Sequence, residues 1–86
     1  MITVYVLKGE KGKRYVGITN NLARRLKEHN NKATKAGHLL GSFDLLHTEK
    51  CPDYKSARER EVFLKSGQGR KWLDEHEAES RPARGG

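Results

Sequence analysis

Ile2, Val4 and Val6 alternate with Thr3, Tyr5 and Leu7 at the start of the chain. This period-two array of β-favouring side chains predicts a strand with two usable faces. Gly9 and Gly12 interrupt the pattern and Arg14-Tyr15-Val16-Gly17-Ile18 resumes it, so the two segments form an antiparallel hairpin that sets Tyr5 beside Tyr15. Thr19, Asn20 and Asn21 offer helix caps, and Leu22, Leu26 and Ala33 give a narrow apolar stripe, which predicts a helix over 21–32 whose other faces are basic. Lys35 to Gly41 reads as a loop on its glycines, and Ser42 to Thr48 as a third strand that ends before Pro52. Ser56-Ala57-Arg58-Glu59 has the spacing of a capping box, predicting a helix that starts at Ser56 and stops at Gly67. A last helix over Arg70 to Glu77 would bury Trp72 and Leu73. The expected order, β-β-α-β-α-α, is an α/β arrangement: a small three-stranded antiparallel sheet flanked by helices. It occupies a single domain over 1–78, with 79–86 as a flexible basic tail lacking apolar anchors.

Composition narrows the class of partner. The 86 residues carry 18 Lys and Arg against 11 Asp and Glu, a formal charge of +7, which favours a polyanion such as nucleic acid. An anionic membrane surface is the weaker alternative, because no apolar run approaches the roughly 20 residues of a spanning helix and the N-terminus lacks a secretory h-region, so no membrane partner is expected. The single cysteine, Cys51, allows no internal disulfide and suits a cytoplasmic protein. His47 and Cys51 have the separation of two zinc ligands, yet a structural zinc takes four, and no second ligand pair stands nearby.

Three groups of side chains bear chemistry. Tyrosine is common in strands for packing alone, but two phenols side by side can hold a water and a phosphate oxygen together. Arg25 and His29 stand four residues apart on one helical face, where a guanidinium and an imidazole can grip a phosphate and handle a proton. The plainer reading of that helix, which also carries Arg24 and Lys27, is a solvated basic face. Glu61 falls within the apolar stripe of its own helix, so it needs a cation: Arg25, another basic side chain, or a divalent metal. Gly67-Gln68-Gly69-Arg70 reads either as a phosphate-cradling turn or as one helix stopping and another starting. Gly9-Glu10-Lys11-Gly12-Lys13 is too short for a nucleotide loop and is a hairpin turn.

Thr3-Val4-Tyr5, Tyr15-Val16-Gly17, Arg25 with His29, and Glu61 ahead of Phe63-Leu64-Lys65 together resemble the GIY-YIG nuclease superfamily, most closely its short stand-alone bacterial type, from Thr3 to about Leu73. The resemblance implies a metal-dependent DNA endonuclease that hydrolyses a phosphodiester with water as nucleophile. Tyr5, Tyr15, Arg25, His29 and Glu61 would be catalytic, with Glu61 holding one Mg²⁺ or Mn²⁺. Lys11, Lys13, Arg24, Lys27, Lys65 and Arg70 would bind the nucleic-acid backbone, with RNA open as a second substrate. The chain lacks the additional DNA-binding domains of larger relatives, so either its basic faces suffice or a protein partner supplies specificity. Which tyrosine activates water stays open. The alternative on the same residues is a non-catalytic nucleic-acid-binding module of this fold.

Overall fold

In the computed structural model, which describes residues 1–31 and 35–80, the opening alternation becomes β1 (Ile2–Gly9), the middle strand of a sheet ordered β2-β1-β3. Both neighbours, β2 (Arg14–Thr19) and β3 (Phe43–Cys51), run antiparallel to it. Tyr5 pairs with Gly17 and Val6 with Val16 across the first ladder. A bulge between Val6 and Leu7 shifts the register against β3, the kind of kink that twists a strand locally.

A middle strand buried on both faces needs a helical layer on each. Helices α1 (Leu22–Asn30) and α2 (Lys35–Leu40) lie over one face, and α3 (Tyr54–Lys65) and α4 (Gly67–Ser80) over the other. Tyr5 and Leu7 pack with Leu40, Tyr15, Leu22, Leu26 and Phe43. Ile2, Val4 and Val6 pack with Val16, Cys51, Ala57, Leu64 and Leu73. The odd and even positions of β1 thus feed two separate cores, as a period of two dictates.

Several boundaries differ from expectation. Residues 35–40 form a helix and not a loop, because Gly37 is a packing glycine: a Cβ there would lie 2.2 Å from the His29 carbonyl oxygen. Gly41, at φ +67°, then ends α2 in the left-handed conformation that glycine tolerates. The expected capping box is displaced. Asp53 caps α3, accepting from the Ser56 amide at 2.8 Å, and the helix begins at Tyr54. Ser66, and not Gly67, separates α3 from α4: its hydroxyl donates to the Phe63 carbonyl at 2.5 Å and accepts from the Gly69 amide at 3.1 Å. Helix α4 therefore starts at Gly67, ahead of Arg70. Gly69 is where α4 meets α3, since a Cβ would stand 2.0 Å from the Phe63 carbonyl oxygen. The first helix is shorter than expected, running from the Asn21 cap to Asn30, and Ala33 lies outside the described residues. Helix α4 continues to Ser80, two residues into the span expected as a tail, and the rest of that span, 81–86, lies outside the described residues.

Ion pairs tie α4 to the hairpin. Arg14 reaches Asp74 at 2.6 Å and Glu77 at 2.9 Å, and Lys8 also pairs with Glu77. Among the described residues no helix is long and apolar enough to cross a membrane.

Candidate active site

Four of the five expected catalytic residues meet on the α1–α2 face of the sheet. The Tyr5 hydroxyl and His29 Nε2 are 2.9 Å apart, and both residues are fully buried. The Tyr15 ring lies 6.1 Å from Tyr5 and 5.4 Å from His29, edge-on to the imidazole. Phe43, from β3, closes the imidazole's other side at 6.3 Å. Gly17 makes this convergence sterically feasible. It is the register partner of Tyr5, and a Cβ there would lie 2.6 Å from the Tyr5 hydroxyl and 3.0 Å from the Tyr15 ring.

Electrostatics divide the labour within the cluster. Burial pushes the Tyr5 phenol up to about 12, although the hydrogen-bonding Arg25 guanidinium works against the rise. Burial, and then the positive charge of Arg25, hold His29 below the ordinary histidine range. A neutral imidazole and a neutral phenol satisfy each other when the hydroxyl donates to Nε2 and its oxygen accepts from Arg25. The Arg25 guanidinium is itself held further into its charged form by Tyr5 and then Glu28, with Nη1 donating to the Glu28 carboxylate at 3.2 Å. Its Nε is buried without a hydrogen-bond partner. Such an atom is costly to leave unmade, and it gives the cluster an unspent donor.

Glu61 is placed differently. Its carboxylate contacts Arg58 Nε at 3.4 Å and Lys65 Nζ at 3.1 Å, both on its own helix, so the cation it meets here is the basic-side-chain option and not Arg25. Lys65 nevertheless links it to Tyr15. Both residues line a groove of about 580 Å³ at the free edge of β2, together with Gly12, Lys13, Arg14, Val16, Leu64, Arg70 and Leu73. Three of the six expected backbone-binding cations, Lys13, Lys65 and Arg70, therefore share one groove. The other three, Lys11, Arg24 and Lys27, are exposed outside it, and Arg24 reaches Asn20 at 3.4 Å and Glu28 at 4.0 Å.

Sequence reasoning missed Glu28, Phe43 and Arg14. Glu28 stands three residues after Arg25, a spacing at which helical side chains meet. For Phe43 and Arg14 only the tertiary fold supplies the partner. The turn of Gly67-Gln68-Gly69-Arg70 is helical, so it is not a phosphate loop. His47 and Cys51 do not form a zinc centre: His47 bonds Glu49 at 2.7 Å and sits against Trp72 and His76, while Cys51 is in the core. Among the described residues no three His, Cys, Asp or Glu side chains gather as a metal-holding group.

A three-stranded sheet whose first two strands present paired tyrosines over a helical arginine and histidine is the arrangement of a nuclease domain, and comparison with known proteins agrees. The chain belongs to the GIY-YIG catalytic domain family, which matches residues 1–75. The family is one of nucleases acting on nucleic acid, typically with a divalent metal. The chain is 41% identical over 64 residues to a UPF0213 protein of Autographa californica nuclear polyhedrosis virus, covering 72% of this chain and 62% of that one. It is 38% identical over 64 residues to a UPF0213 protein of Desulfotalea psychrophila, covering 72% and 58%. The chain thus spans about three fifths of the length of these two relatives. The solution NMR structure of a UPF0213 protein from Bacillus halodurans is similar with a TM-score of 0.56 at 27% identity, over 96% of this chain and 98% of that one.

Proposed function

We propose that this protein is a metal-dependent DNA endonuclease that hydrolyses phosphodiesters with water, serving DNA repair or processing in the cytoplasm. One observation carries the reading: Tyr5, Tyr15, Arg25 and His29 converge, and Tyr15 opens from that cluster onto a groove rimmed by Lys13, Lys65 and Arg70.

The roles follow from burial. Tyr15 alone of the two tyrosines lines the groove, so it is the phenol that positions the attacking water. Tyr5 is fully buried and resists ionisation, which makes it a poor resting base. Paired with a neutral His29, it acts as a relay: as its oxygen accepts the proton that Tyr15 passes on from the attacking water, its hydroxyl gives its own to Nε2, leaving the imidazole with the proton and neither phenol ionised. Arg25, held in its charged form beside Tyr5, neutralises charge that develops on the phosphate.

Glu61 fits a single hard cation. Its side chain is 14% exposed, while Arg58 and Lys65, which hold it, are 70% and 54% exposed and free to swing away. One carboxylate leaves the remaining positions of Mg²⁺ or Mn²⁺ to water and substrate oxygens. When bound, such an ion supplies Lewis-acid polarisation of a phosphate oxygen.

The pairing of Glu61 with Arg58 and Lys65 also suits a non-catalytic binding module of this fold, in which the carboxylate holds no metal. Incubating the purified protein with single-stranded, duplex, flap and branched DNA, with and without Mn²⁺, separates the two. Metal-dependent cleavage is the expected result. Binding to every substrate without cleavage in any metal condition would leave the binding module.

A further inference from the structure

Glu61 divides its carboxylate between two cations of its own helix: Oε1 faces Arg58 Nε at 3.4 Å and Oε2 faces Lys65 Nζ at 3.1 Å. Both oxygens that would serve a divalent ion are therefore engaged, one from each direction along α3. The engagement is loose, because exposed pairs at this spacing contribute little to a fold. It is also exclusive. The residues three and four positions from Arg58 are Tyr54, Lys55, Glu61 and Val62, and those from Lys65 within α3 are Glu61 and Val62, so neither cation finds a second acid at helical contact spacing once Glu61 is given up.

Two competitions meet at this carboxylate. Arg58 and Lys65 contend with a divalent ion for its oxygens, since like charges gathered at one carboxylate repel. Glu61 contends with substrate phosphates for the two cations. Lys65 already faces the groove beside Lys13 and Arg70, and no residue lining that groove is acidic, so its release adds positive charge where phosphates are drawn. A phosphate that takes the cations thus frees the carboxylate, and linkage makes the coupling reciprocal. We propose that Arg58 and Lys65 form a gate opened by the substrate: in the free protein they hold Glu61, and on DNA they move to the phosphates and leave the carboxylate to the metal ion. Arg58 thereby becomes a substrate contact as well as a partner of Glu61.

The gate rests on the reading of Glu61 as the metal ligand of a nuclease, and one set of measurements tells the two apart. Without DNA, Mn²⁺ binding is measured by the paramagnetic resonance of the free ion. Arg58→Gln with Lys65→Gln should bind Mn²⁺ about threefold to fivefold tighter than wild type, the worth of two exposed helical ion pairs, with thermal melts close to wild type. Adding Glu61→Gln should abolish the gain, and an equal loss of charge at the exposed Lys55 and Lys71, each changed to Gln, should not reproduce it. In EDTA, a blunt DNA duplex should shift the side-chain NMR signals of Arg58, Lys65 and the Glu61 carboxylate together. Unchanged or weaker Mn²⁺ binding in the double variant, an equal gain from the Lys55 and Lys71 changes, or Arg58 and Lys65 signals unmoved by DNA would overturn the gate. Cleavage by the wild-type protein is read separately with Mn²⁺. The expected Mn²⁺ and NMR results without cleavage keep the gate and remove the nuclease reading; cleavage with Mn²⁺ affinity unchanged in the double variant removes the gate and keeps the nuclease.

Discussion

The Tyr5 hydroxyl and His29 Nε2 lie 2.9 Å apart inside the protein, joining residues 24 positions apart in the chain. Neither side chain is exposed. The bond sits at the junction of the middle strand and α1, where it both closes one core and couples a phenol to an imidazole that burial keeps neutral. Losing such a buried bond costs about 0.5–1.5 kcal/mol, and more if the partner stays unsatisfied.

Alkaline titration should isolate Tyr5. Its phenol is raised to about 12 by burial, against about 10 for a free tyrosine. Because the folded value lies above the unfolded one, Tyr5 stabilises the fold fully below about pH 10 and loses that contribution as pH rises through about 12. Ultraviolet difference absorbance should show one tyrosine ionising late, and Tyr5→Phe should delete that late phase. A single common transition would mean that Tyr5 is not shielded.

The two tyrosines should respond differently to loss of a hydroxyl. Tyr15→Phe should leave the melt nearly unchanged and reduce cleavage by roughly a hundredfold, the worth of one positioned proton-handling group. Tyr5→Phe should reduce cleavage as well, but with a lower melting temperature, since His29 then keeps a buried nitrogen without its phenol. Wild-type cleavage in both variants would return the pair to packing alone.

Glu61→Gln keeps the shape and removes the charge. The substitution weakens only helical ion pairs to the exposed Arg58 and Lys65, worth about 0.3–0.5 kcal/mol each, so the fold should survive. Cleavage should vanish at all practical metal concentrations while DNA binding persists or tightens. Calorimetric titration of Mn²⁺ should show a matching loss of metal binding. A folded variant that still cuts DNA with metal would end the assignment of Glu61 as ligand.

Acid should release α4 from the hairpin. Lys8, and then Arg14, hold the Glu77 carboxyl down at about 2, from its usual 4.5. A depressed folded value means stability that is present above about pH 4.5 and lost as pH falls toward 2. Screened by solvent, the loss is on the order of 1 kcal/mol, which lowers Tm by roughly 4–8 °C in a domain of this size. Glu77→Gln should show the lower Tm at neutral pH and a flatter acid limb. Identical acid melts for the two proteins would show that the latch contributes nothing.

Local pattern alone determined much of this protein. The alternation of residues 2–7 defines a strand with two faces in any tertiary context, since successive side chains must point opposite ways. The spacing of Arg25 and His29 places both on one side of a helix, and the Tyr-Val-Gly of β2 sets Tyr15 two residues from the glycine over which Tyr5 lies. The family, the sheet and the meeting of those four side chains were therefore legible in the order of residues. Tertiary structure decided what depends on contacts across the fold. Gly37 and Gly69 read as breakers, yet each sits inside a helix because a neighbouring backbone passes too close for any Cβ, a distance that no local rule contains. The start of α3 moved from Ser56 to Tyr54 because the Asp53 carboxylate reached the Ser56 amide first. Burial assigned different tasks to two tyrosines that are alike in sequence: Tyr5 lies under α1 with its hydroxyl on His29, and Tyr15 stands on an edge strand where a groove meets it. The strand's neighbours, and not the strand, set the solvent exposure that governs whether a phenol keeps its proton.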